Sequence, residues 1–202
     1  MADFEAAKTQ SKLWETALQT LVFSLLLIFA SLVEQAIIPY TAFRAGAPAQ
    51  VEVPLICLTF GLRVLGAYLT GFRSIVFFAP AAIALDVTSQ TVLGLHFENG
   101  MMMLLLLAAA PAIFMLLDWA SPAPHIELLN TPMGWRVLAS GSILIAMVET
   151  LAIHALAGTG MPDATHSQGF VIFFGSKLLG LAVVLAVLMA IKRVLRPSRR
   201  AS

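Results

Sequence analysis

Four ionisable side chains interrupt otherwise apolar stretches of the chain: Arg63 in LTFGLRVLGAY, Asp86 in AAIALDVTSQ, Glu149 in LIAMVETLAIH and Lys177 in FFGSKLLGL. A charge in a bilayer interior costs roughly 2.5 kcal/mol on insertion scales, so such groups turn inward, find partners, or line paths for protons and ions. Asp86, Ser89 and Gln90 stand at i, i+3 and i+4, which puts a carboxylate, a hydroxyl and an amide on one helical face. Together with Glu149 and its neighbour Thr150, this stripe has the chemistry of a polar cavity that holds a small solute or passes protons. The competing reading is a self-neutralising lock. Two cations and two anions balance in sign, and pairs such as Arg63 with Asp86 and Lys177 with Glu149, or the swapped pairs, fix helix register without binding anything.

Other constellations with chemical potential are weaker. His96, His154 and His166 fall near one predicted end of the apolar segments, with Glu98, Asp163 and Glu34 close by in sequence or level. Nitrogen and oxygen ligands gathered there would suit a divalent metal or an acid sensor, but H-x-E and D-x-x-H are not established metal spacings, and no metal is expected. No G-x-S-x-G, H-E-x-x-H, CxxC or phosphate-cradling glycine loop occurs, so the expectation is of no catalytic residue and no cofactor. Cys57 is the only cysteine and reads as a small packing residue. Nucleic-acid binding would need a basic, aromatic-bearing soluble surface that the chain lacks.

The elements that must position these residues follow from composition. Hydrophobic residues make up 59% of the 202 and charged residues 11%, with a mean hydropathy of +0.91, far outside soluble averages. The expected fold is an all-α integral membrane protein, one bundle of about six transmembrane helices. The apolar segments cover about 16–39, 53–71, 73–94, 100–118, 135–157 and 169–191. Counted at about 1.5 Å per residue, all four buried charges come within a turn or two of the midplane. Lys8, Lys12, Arg73, Arg136 and the tail cations Lys192, Arg193, Arg196, Arg199 and Arg200 fall on one side, with only Arg44 among loop cations on the other. The positive-inside rule then puts both termini in the cytoplasm and the bundle in the inner membrane as a multi-pass protein. The first segment is expected to be retained, because its apolar run is too long for a signal peptide and no cleavage site follows. Segment 2–20 suits a short interfacial lead-in, and the basic tail suits anionic lipid. Trp14, Tyr40, Trp119 and Trp135 mark headgroup depth. Pro80 and Pro111 are expected to kink their helices, and Gly61, Gly66, Ala67, Gly71, Gly175 and Gly180 to admit close helix approach.

Residues 54–87, PLICLTFGLRVLGAYLTGFRSIVFFAPAAIALDV, resemble the bacterial membrane-associated sensor (MASE-type) domains. Pro54, Gly61, Gly71, Phe72 and Arg73 match that family's signposts: a proline before the helix, a packing glycine, and a Gly-aromatic-Arg turn. The resemblance covers about a sixth of the chain and carries no ligand-binding residue. It implies a sensory role; domains of this kind usually feed a kinase, cyclase or similar output module, whereas this chain ends about ten residues after its last expected helix, so a stand-alone sensor would need a separate partner chain. The function expected from sequence is therefore a non-enzymatic integral membrane protein of sensory or accessory type. It would act through lipid and through a partner membrane protein or a second copy. The alternative is a small transporter or substrate-binding membrane subunit, with Arg63, Asp86, Glu149 and Lys177 along its path.

Overall fold

A computed structural model describes residues 2–44, 56–92, 100–120, 132–157 and 163–195. The described residues form six helices: α1 (Ala2–Arg44), α2 (Leu58–Thr70), α3 (Arg73–Val92), α4 (Gly100–Ala120), α5 (Pro132–Ala157) and α6 (Asp163–Leu195). Each coincides with one of the six apolar segments of the sequence. Three contain stretches long and apolar enough to cross a membrane: Trp14–Ile37, Met133–Ala152 and Phe170–Ile191. Shorter apolar stretches are Leu58–Thr70, Arg73–Leu85 and Leu106–Ala120. Residues 2–20 do not form a separate lead-in; the helix that begins at Ala2 runs unbroken to Arg44. Pro80 and Pro111 both lie inside continuous helices.

The polarity of the helices is inverted relative to a soluble bundle. Along α5 the buried stripe is Leu138, Ser142, Ile145, Ala146, Glu149 and Thr150, whereas Ile143, Leu144, Met147, Val148 and Leu151 are exposed. Large apolar side chains facing outward and polar ones facing inward is the pattern that a lipid solvent selects. The same holds for α1, where Leu25, Leu26, Phe29 and Leu32 point out while Ser24 and Glu34 are buried.

The short helix α2 is the axis of the bundle. It packs against all five other helices, which follow one another around it in the order α1, α3, α4, α5, α6. Small residues make this closeness feasible. A Cβ at Gly61 would press on the backbone of α6 at Leu181 and Gly180, one at Gly180 would strike the Cys57 backbone, and one at Gly66 would meet the Phe78 ring. Two apolar clusters flank α2. One gathers Phe60, Val64, Tyr68, Phe114, Leu138 and Ile145, with Tyr68 edge-on to Phe114 at 5.3 Å. The other gathers Leu27, Phe78, Ala81, Ala82 and Leu107, with Phe23 stacked on Phe77 at 5.5 Å.

Gly71 turns the chain from α2 into α3. Its φ of 59° and ψ of −136° lie where L side chains seldom go, which is why glycine serves here. Its N–H closes α2 on the Ala67 carbonyl at 2.8 Å, and its own carbonyl accepts from the Ser74 amide and hydroxyl at 3.1 and 2.7 Å. At this turn end of the bundle, Trp14, Phe72, Trp119 and Trp135 are exposed, as are Lys12, Arg73, Arg136 and Arg193.

Candidate functional site: a buried charge knot

Glu149 is the centre of the site. It stands on the buried stripe of α5 with its side chain 1% exposed, and both of its oxygens are taken. Arg63, from α2, grips it with two parallel bonds, Nη1 to Oε1 and Nη2 to Oε2, each 3.1 Å. This fork geometry is the strong form of a carboxylate–guanidinium contact. Lys177, from α6, donates from Nζ to Oε2 at 3.0 Å, with its side chain 5% exposed. The Lys177 ammonium also lies 5.6 Å from the centre of the Phe60 ring, within cation–π range.

Arg63 has a further acceptor, the Leu106 carbonyl on α4, at 2.6 Å from Nη1. Pro111 offers no N–H to the carbonyl of Leu107, four residues before it, and loosens the helix there. The neighbouring carbonyl, that of Leu106, is the one turned to Arg63. Four helices, α2, α4, α5 and α6, are therefore tied by one cluster of charge-assisted bonds.

Two cations share this one carboxylate, and a second buried acid stands one turn away. Glu34 of α1, 8% exposed, accepts the Thr59 N–H at 2.6 Å and the Thr59 hydroxyl at 3.2 Å. Thr59 precedes Arg63 by one helical turn, so the group Glu34, Arg63, Glu149 and Lys177 is balanced two and two. Glu34 also satisfies an amide of the first turn of α2, which the N-cap Cys57 leaves without a side-chain cap. The Cys57 N–H goes to α6 instead, donating to the Ser176 carbonyl at 3.0 Å. A carboxylate on one helix thus does the capping for another. Glu34→Ala is expected to cost about 1–2 kcal/mol, measured as a lower midpoint of thermal unfolding in detergent. Glu34→Gln, which keeps an acceptor oxygen, is expected to lose less.

Sequence reasoning finds Arg63, Glu149 and Lys177, and the structure brings all three into one contact, with both cations on Glu149. It groups Glu34 with the histidines instead; burial against Thr59 assigns Glu34 to the α2 cap. Asp86, Ser89 and Gln90 fall on α3, but their side chains lie outside the described residues, as does the pairing of Arg63 with Asp86. His154 and His166 fall on α5 and α6 with side chains likewise outside, and His96 lies in an undescribed stretch. Among the described residues, no three His, Cys, Asp or Glu side chains converge as metal ligands. Thr59, Phe60 and the Leu106 carbonyl are contacts that hydropathy does not reveal. A threonine level with an acid of the preceding helix was the signal for the first of them.

Comparison of the chain with protein-family models, curated proteins and solved structures returns no significant match.

Proposed function

We propose that the chain is a non-enzymatic integral membrane protein of sensory or accessory type, a six-span bundle whose work is done through helix contacts with a partner chain. The observation that carries this reading is the saturation of Glu149: its two oxygens are filled by Arg63 and Lys177, and the knot joins α2, α4, α5 and α6. Charges consumed by one another set helix register and leave little for a transported solute. The MASE-type resemblance of residues 54–87 points the same way. In this proposal the turn end of the bundle, with Lys12, Arg73, Arg136 and Arg193, faces the cytoplasm of a bacterial inner membrane, and both termini lie on that side.

Topology is tested with single cysteines in a Cys57→Ala background. Val171→Cys, at the end away from the turn, is expected to react with an impermeant maleimide in intact cells, and Met133→Cys only after permeabilisation. The reverse pattern overturns the orientation. For function, gentle affinity purification is expected to recover a stoichiometric partner membrane protein. A clean monomer that conducts solute or protons in liposomes would sink the proposal.

A second reading, a small transporter, draws on Arg63, whose side chain remains 15% exposed while Glu149 and Lys177 are almost fully enclosed. An anionic solute would meet that guanidinium first. This reading expects Arg63→Lys to reduce flux in liposomes while the folded fraction stays high; unchanged flux removes it.

A further inference from the structure

Two sets of contacts fix how far α1 reaches past the α2–α3 turn. Glu34 meets Thr59 and Phe23 reaches Gly66, so α2 runs back along α1 and ends, at Thr70, level with about Phe23. On α3, Phe77 accepts the Ser24 hydroxyl at 2.8 Å and stacks on Phe23, which sets Arg73 level with about Thr20. Residues 2–19 therefore continue the same helix roughly 27 Å beyond the turn. Exposure agrees. Lys12 and every residue from Trp14 to Gln19 are exposed, so no described helix of the bundle covers any side of this stretch.

Proline and glycine, the usual sites of a kink, are both absent between Ala2 and Ile38, so α1 has no place at which to fold flat onto the membrane. A lone helix of this length is marginal in water and holds by burying an apolar face. The register supplies one: Phe4, Ala7, Ser11, Trp14, Leu18 and Leu21 recur at alternating steps of three and four, the a and d positions of a coiled coil. Trp14, Leu18 and Leu21 are exposed, on the side of α1 opposite Ser24, Leu27 and Glu34, which are buried in the bundle. The bundle therefore does not obstruct a second helix here.

The charges point to the occupant. In two parallel strands, position g of one faces position e of the next heptad in the other. Asp3 occupies g and Lys8 the following e, so each copy sets an acid position against a lysine position of its partner, and Gln10 stands likewise against Glu15. Two copies inserted the same way in a membrane present α1 in parallel, as this register requires. A lipid surface fits less well, since interfacial helices are rich in Lys and Arg, whereas residues 2–19 carry three acids, Asp3, Glu5 and Glu15, against two lysines. We propose that the projecting part of α1 pairs with its counterpart on a second copy of this chain, as a parallel two-stranded coiled coil. The pairing goes beyond the proposed function, because a separate partner chain would use other faces, and either association can fail without the other.

Single cysteines in the full-length Cys57→Ala chain, oxidised in native membranes with copper phenanthroline, test the pairing. Ala7→Cys, Ser11→Cys and Leu18→Cys, at a and d positions, are expected to give a disulfide-linked dimer, and Thr9→Cys and Thr16→Cys, at f positions, to give none. Co-expression of two differently tagged copies identifies both strands as this chain. Asp3→Lys is expected to weaken the dimer several-fold, and Asp3→Lys combined with Lys8→Asp to restore it. Cross-linking at f positions as readily as at a and d, or at no position, overturns the proposal. A cross-linked product of another mass does so too, the result if a different protein takes the seam. A fluorophore on Ser11→Cys that is quenched by doxyl-labelled phosphatidylglycerol, with no dimer formed, puts the segment on lipid and likewise overturns it. Undiminished cross-linking in Asp3→Lys overturns the register.

Discussion

Glu149→Leu is expected to be the most damaging single replacement in the chain. It would leave the Arg63 guanidinium and the Lys177 ammonium enclosed together with no carboxylate between them, two like charges in a medium of low dielectric. Removing one partner of a buried ion pair costs about 3–5 kcal/mol, and here one removal strands two cations. The variant should unfold in detergent at temperatures where the parent survives, measured by circular dichroism or scanning fluorimetry. Lys177→Met should be milder, because the two-bond contact between Arg63 and Glu149 remains. The decisive comparison is the triple variant Arg63→Met, Glu149→Leu, Lys177→Met. Apolar side chains of similar volume remove the desolvation penalty along with the attraction, so this variant should regain or exceed parental stability. An unfolding midpoint unchanged by Glu149→Leu would mean that the knot contributes nothing to the fold.

The triple variant also bears on function. A protein restored in stability yet unable to recover its partner would show that the knot sets a geometry the partner reads. A protein restored in both respects would reduce the knot to one of several packings that hold the bundle together. Buried ionic clusters of either kind are known in principle, and stability alone does not tell them apart.

The parts of this arrangement that sequence reveals are those that hydropathy makes conspicuous. Glu149 and Lys177 stand out because, apart from the adjacent Thr150 and Ser176, no polar residue lies within a turn on either side, and a lone charge in such a run has few physical options. Helix positions are legible for the same reason: each of the six helices falls on an apolar run, and three of them contain stretches long and apolar enough to cross a membrane. Which helices touch is not legible, since lipid-facing and protein-facing positions are both apolar and the periodicity that betrays a soluble helix is muted. The pairing therefore stays open between Arg63 and either acid until the fold puts α2 at the centre. Glu34 illustrates the loss most clearly. In ASLVEQAII it reads as an acid near a helix end, whereas its role depends on Thr59, 25 residues away, arriving with an amide and a hydroxyl.

Gly180→Ala is expected to be nearly as informative as the charge replacements, because it tests the packing on which the knot depends. A methyl group at Gly180 would occupy the place of the Cys57 carbonyl, its own Cβ meeting backbone atoms that have no rotamer to yield. Overpacking a close contact costs about 1–3 kcal/mol, and the upper part of that range applies where the obstacle is main chain. The shift required would part α2 from α6 at the point where the Cys57 N–H donates to Ser176, next to Lys177. Loss of the knot should therefore follow, seen as an unfolding midpoint that no longer falls further when Lys177→Met is added. That non-additivity is the signature of a shared contact. Gly175→Ala is the matched control on the same helix: its Cβ would meet nothing within 4 Å. Alanine is favoured over glycine in a helix by about 1 kcal/mol, so Gly175→Ala should leave stability unchanged or raise it. Equal effects from the two substitutions would show that α6 does not approach α2 as closely as the Cys57–Gly180 contact requires.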